Sequence, residues 1–265
     1  IIAIYTVVSF KKYVTEIQKR EIIEKELDIA KDIQRSFLPA EIPEIGGMDI
    51  SVSMLTARQV GGDLYDVVRY DTAGIDGNKL GLMLGDVSGK GVPAALYMAR
   101  VVSVFRTFAR EGTASEVLKH VNEQLMAFGG SNFFVTLTYM IFDTKANNVT
   151  FASGGHMPTI MIDPGGEVEL LDVEEGLPLG VIEGDFSLGT YNYKRGSLFI
   201  LYSDGVTEAM NAKEEMFEEE RLVELVKSMK DAPTKEIVSA VNKAVMDFAG
   251  KAPQHDDITV MVIRT

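Results

Sequence analysis

The chain contains no cysteine. That excludes disulfides, thiol nucleophiles and cysteine zinc sites, and it fits a reducing compartment. Histidine is scarce. His120, His156 and His255 are scattered too widely to form a histidine metal cluster. A metal on this chain would be held mostly by carboxylates, which favours hard ions such as magnesium or manganese. Positive charge is also short: 26 Lys and Arg stand against 39 Asp and Glu, a net charge of −13. Such a chain is a poor partner for nucleic acid or an anionic membrane surface but suits cations, although most of its carboxylates read as solvated surface. The apolar opening IIAIYTVVSF has ten residues, too few to span a bilayer by itself.

What is present is enough for a real core: 265 residues, 46% hydrophobic, with an ordinary charged fraction of 25%. The first residue is Ile1, so the sequence reads as a fragment. Residues 1–10, followed by the basic stretch KKYVTEIQKR, fit either the cut end of a transmembrane helix with its basic flank in the cytoplasm or a hydrophobic contact within a helical dimer. A cytoplasmic domain is expected in both cases, membrane-attached only through a missing N-terminal segment.

Residues 11–38 read as one long helix, free of Gly and Pro until Pro39. Ile23, Leu27, Ala30 and Phe37, with Ile22, Ile29 and Ile33 beside them, give it a wide apolar face that must pack on its own domain or on a second copy. LPAEIPEIGG breaks the helix, dividing the chain into a linker (1–40) and one domain (41–265). Beyond it, MDISVSML, DLYDVVRY and KLGLMLGDV read as strands. Two helices follow, VPAALYMARVVSVFRTFAR and TASEVLKHVNEQLMAF, the second opening with Thr113 and Glu116 at capping-box spacing. Then come six strands, two helices near EEERLVELVKSMK and PTKEIVSAVNKAVMDFA, and a last strand, DITVMVIR. Strands in runs and helices in pairs indicate α+β with antiparallel sheets.

GDVSGKGVP, residues 85–93, resembles a phosphate-binding loop only superficially. Three residues, not four, separate Gly85 from Gly89-Lys90, and Gly91 stands where a magnesium-binding hydroxyl belongs. Asp86 is the better functional candidate, at the end of an apolar strand and before a glycine turn. As a lone motif it would equally fit a turn or helix cap. The same device recurs at Asp63 in VGGDLYD, Asp204 in LYSDG, and Asp256 and Asp257 in QHDDITV. Aspartates this far apart in sequence, at the same end of their strands, could converge on one pocket. Like charges at such range demand neutralisation, which divalent cations supply. GGDLYD departs from the GGDEF pattern of diguanylate cyclases, and no nucleophile-elbow pattern supports a triad through Ser203 and His156.

The ordered set IQRSFLP, VGGDLYD, GDVSGKGVPAAL, ASGGHMP, GLPLG, LFILYSDGVTEAMN and HDDITV resembles the SpoIIE/RsbU-type phosphatases, the bacterial branch of the metal-dependent PPM serine/threonine phosphatases. The likeness runs from about Ala30 to Thr265. It implies an α-β-β-α sandwich of two antiparallel sheets flanked by helix pairs, with the N-terminal helix as a dimerising linker. It implies two Mn²⁺ or Mg²⁺ ions, with Asp86 bridging them and the Val87 carbonyl beside it. Asp63 would hold the first ion, and Asp204 and Asp256 the second, with Asp257 as the alternative to Asp256. It implies hydrolysis of phosphoserine or phosphothreonine by a metal-activated water, on a phosphorylated STAS-type anti-sigma antagonist. Arg58 is a candidate phosphate contact. His156 reads as a turn-stabilising residue, with a near-site acid as the alternative, and Lys90 as a loop or partner-contact residue. The competing class is a non-catalytic dimeric signalling module of the same fold.

Overall fold

The alternation of strand β3 (Lys79–Val87) shows why the chain builds layers. Leu80, Leu82 and Leu84 point into one hydrophobic cluster while Met83 and Val87 point into another. A strand buried on both faces reads as a continuous apolar run, and its two faces separate only by the period of two. Strands β9 (Leu198–Tyr202) and β10 (Ile258–Arg264) do the same: Phe199, Leu201, Met261 and Ile263 face one cluster, and Ile200, Tyr202, Val260 and Val262 another. In a computed structural model, residues 2–42, 47–70, 78–127, 132–173 and 176–265 are described, side chains of 2–9 excepted.

Two five-stranded sheets result, and every strand pair within them is antiparallel. The first sheet has the order β1 (Asp49–Leu55), β10, β9, β6 (Thr159–Ile162), β7 (Val168–Leu171). The second has the order β2 (Leu64–Arg69), β3, β4 (Val135–Asp143), β5 (Asn148–Gly154), β8 (Gly189–Asn192). The sheets face each other across Leu80, Leu82, Leu84, Phe142, Phe199 and Met261. Helices α2 (Val92–Phe108) and α3 (Ala114–Ala127) cover the second sheet. Helices α5 (Glu219–Ser228) and α6 (Thr234–Ala249) cover the first. This is the α-β-β-α sandwich that the family resemblance implied.

Local expectations were met unevenly. The capping box of α3 forms, with Thr113 N donating to Glu116 Oε2 at 2.7 Å. The first helix, α1, spans Ile2–Phe37, starting well before residue 11 because nothing in the apolar opening interrupts it. No described helix is long and apolar enough to cross a membrane. Residues 43–46 of the expected break, and Phe128 of the second predicted helix, lie outside the described residues. The strand expected through Asp204 stops at Tyr202, and Asp204 instead opens a short helix, α4 (Asp204–Thr207).

Helix α1 meets the body along one narrow stripe. Leu27, Ala30, Lys31, Gln34 and Phe37 are at least partly covered, at helical spacing, while Ile22, Ile23, Ile29 and Ile33 stay exposed. Its last turn is fixed by Arg106 of α2. That guanidinium binds the Phe37 carbonyl at 2.8 Å and, through Nε, Asp66 at 2.6 Å.

Candidate metal-dependent active site

Cross-strand register places the first two aspartates side by side. Leu64 pairs with Gly85, so the residues just beyond, Asp63 and Asp86, end the β2–β3 ladder together. Val87 N donates to the Gly62 carbonyl at 3.3 Å, which closes that end. The first sheet brings the other pair. Ser203 N bonds the Thr259 carbonyl at 3.0 Å, continuing the β9–β10 ladder and setting Asp204 beside the segment that carries Asp256. The four candidates thus meet at one end of the sandwich, two from each sheet.

The electrostatics record their closeness. Asp86 is held far above the usual carboxylate range, first by burial and then by the charges of Asp63, Asp204 and Asp256. Asp63 is also raised, chiefly by burial, although hydrogen bonds from Thr259 and Ser203 oppose the shift. Asp204 is pushed up to about 6 by burial, then by Asp256 and Glu208, with Lys90 pulling the other way.

The neighbouring groups have separate tasks. Asp63 is almost wholly buried and accepts from Ser203 Oγ at 2.8 Å and from Thr259 Oγ1. Sequence reasoning missed the role of both hydroxyls, although they lie within the motifs it used. Asp257 accepts Ala57 N and Gly62 N, each at 2.7 Å, one on each carboxylate oxygen. It therefore ties the first sheet to the loop before Asp63. Gly61 and Gly205 are required here, since a β-carbon on either would come within 1.9 Å of Asp257 atoms. Gln34 of α1, also missed as a functional residue, makes a reciprocal pair with Gly61: Nε2 to the carbonyl at 2.7 Å and Gly61 N to Oε1 at 3.2 Å.

Asp256 faces the cleft, 2.8 Å from Lys90 Nζ. Lys90 is therefore engaged inside its own chain. Arg58 is exposed, and its Nη1 would lie 3.7 Å from a β-carbon on Gly91, beside the Asp86 loop. His156 is buried, with Nδ1 2.9 Å from Thr136 Oγ1 and its backbone N bonded to Ser153 Oγ. A cleft of about 350 Å³ opens beside Asp256, lined by Lys90, Glu208, Met210, Val245 and Met246. A larger cavity of about 570 Å³, between α1 and the body, is lined by Lys31, Gln34, Arg35 and Tyr65 and by none of these carboxylates.

The donor set fits hard divalent cations, being all oxygen. Gly62 keeps space open, since a β-carbon there would approach the Val87 carbonyl oxygen to 2.6 Å and Asp86 Oδ1 to 3.0 Å. Asp204 Oδ1 is buried without a hydrogen-bond partner. Among the described residues, however, no three acidic or histidine side chains stand in a ready-made metal cage. Ser203 and Thr259 engage Asp63, and Lys90 engages Asp256.

Residues 76–265 match the family model described as stage II sporulation protein E (SpoIIE). The chain belongs to the SpoIIE family. The matched span includes Asp86, Asp204 and Asp256, while Asp63 lies upstream of it. The phosphoserine phosphatase RsbU of Bacillus subtilis is 28% identical over 248 residues, covering 91% of this chain and 70% of RsbU. The phosphoserine phosphatase RsbP of the same organism is 24% identical over 190 residues, covering 69% of this chain. The chain spans only 45% of RsbP's length. Among solved structures, the SiaA-PP2C domain of Pseudomonas aeruginosa superposes with a TM-score of 0.82 at 21% identity, covering 93% of this chain and 98% of that one. More distant folds include RsbX in complex with magnesium (TM-score 0.62, 17% identity, 84% of this chain and 98% of RsbX). The catalytic domain of the phosphatase PstP with two manganese ions is another (0.56, 14%, 82% and 98%). By enzyme class, this SpoIIE-family domain is a phosphatase.

Proposed function

We propose that the chain removes phosphate from phosphoserine or phosphothreonine in a protein substrate. The observation that carries this is the convergence of Asp63, Asp86, Asp204 and Asp256 from two sheets, close enough for three of them to raise the fourth. In this reading Asp63, Asp86 and the Val87 carbonyl would hold one divalent ion, and Asp86, Asp204 and Asp256 a second. When bound, such ions supply an acidified water as nucleophile and neutralise phosphate charge. Arg58 stands at the rim, exposed and beside the Asp86 loop, able to donate two hydrogen bonds to a phosphate. Buried His156 bonds Thr136 and takes no part in proton transfer. The proposed substrate is the phosphorylated STAS-type anti-sigma antagonist that the family resemblance implied.

Hydrolysis of a phosphoserine peptide with Mn²⁺ and with chelator tests the reading. Turnover should need the metal, and Arg58→Ala should raise KM. Metal-independent turnover would sink the mechanism. A lack of turnover at millimolar Mn²⁺ would instead select the non-catalytic module.

The exposed Ile22, Ile29 and Ile33 of α1 support a homodimer through that helix. The chain should then sediment as a dimer, and Ile29→Glu with Ile33→Glu as a monomer. A monomeric wild-type chain would refute this.

A further inference from the structure

Lys90 has no role in the reaction as read above, yet its placement is specific. It stands between Gly89 and Gly91, whose φ angles of 88° and 79° lie in the left-handed region. This turn sends the lysine from the Asp86 loop to the segment before β10. There its Nζ lies 2.8 Å from Asp256 Oδ2 and donates to the His255 carbonyl. Its charge also opposes the rise at Asp204. The ammonium thus occupies a carboxylate oxygen that the second divalent ion would need.

Resting on the reading of this cluster as a metal site, we propose that Lys90 is a tethered cation that competes with the second divalent ion for Asp256. Without metal, the acidic end of the sandwich carries mutual repulsion, and the ammonium relieves it at the outer edge. A divalent ion brings twice the charge to the same oxygen and can displace it. The side chains of Lys90 and Asp256 are 38% and 33% exposed, so water reaches the pair and assists its release. A pair this wet is worth at most about 1 kcal/mol, so the lysine weakens metal binding without blocking it. The flanking glycines give the loop freedom to carry Lys90 away.

Calorimetric titration of Mn²⁺ into the metal-free chain tests this without reference to turnover. Lys90→Met should tighten the weaker site roughly fivefold. Lys90→Arg, which keeps the charge, should stay near the wild-type affinity. Lys90→Met should also gain more in Tm from added Mn²⁺ than the wild type. Equal Mn²⁺ affinity in wild type and Lys90→Met would overturn the competition and leave the metal site standing. No Mn²⁺ binding by any of the three would remove the metal site itself and the competition with it.

Discussion

The two sheets each contribute two aspartates to the same end of the sandwich, but they hold them differently. In the pair from the second sheet, Asp63 is almost wholly buried and Asp86 half-buried beside it. Asp63 is gripped by Ser203 and Thr259, and both carboxyls are raised chiefly by burial. Of the pair from the first sheet, Asp204 keeps one buried oxygen unpartnered, and Asp256 lies at the cleft with a lysine on it. The first pair is anchored at Asp63 by two buried hydroxyls, and the second is held at Asp256 by a partly exposed side chain that can leave. Preorganised ligands need little rearrangement to take up a charge, which is where electrostatic catalysis gains most. The deep half should therefore bind and act more strongly than the outer one.

The sharpest test of that difference compares Asp86→Asn with Asp256→Asn. Asp86→Asn should lower kcat on a phosphoserine peptide by on the order of 10³-fold or more, since it removes the ligand shared by both proposed ions. Asp256→Asn should cost nearer tenfold, at saturating Mn²⁺. Equal losses would erase the distinction between the halves.

A smaller effect should come from cutting the stitch between the sheets. Asp257→Ala leaves the amides of Ala57 and Gly62 without their acceptor. Two hydrogen bonds to a charged group are lost, roughly 3 kcal/mol in total. For a chain of this size that lowers Tm by about 6–12 °C. Thermal unfolding in chelator measures it, and a drop of only a degree or two would show that Asp257 is not the tie between the sheets.

The halves were not equally legible in the sequence. Strand periodicity and the recurrence of aspartate at a strand end beside a glycine or turn were enough to put forward Asp63, Asp86, Asp204 and the pair Asp256 and Asp257, because both are local signals. The partners were not local. Thr259 reaches Asp63 across 196 residues and Gln34 reaches Gly61 across 27. Periodicity reports which face is buried, not which group waits there. Asp256 and Asp257 were hard to separate for the same reason: they are adjacent, yet one turns to the cleft and the other into the loop before Asp63. Helix α4 was missed because four residues are too few to show a helical period.

The smallest expected effect belongs to His156, which buttresses the deep half from behind. Its Nδ1 bonds Thr136, the cross-strand partner of Asp86. Burial pushes its pKa down from 6.5 to about 4, against the weaker pull of the Tyr202 backbone. Between those values the unfolded chain takes up a proton that the folded chain refuses, so acidification favours unfolding. The contribution is complete above pH 6.5 and is lost as pH falls toward 4. By about pH 5 the loss amounts to roughly 1–2 kcal/mol. His156→Gln abolishes the titration while keeping a polar side chain against Thr136. In chelator, the Tm of the wild-type chain should therefore fall more steeply than that of His156→Gln between about pH 7 and about pH 5. Parallel slopes would move the acid sensitivity away from this ring, leaving the support behind the deep aspartates to Thr136 and Ser153 alone.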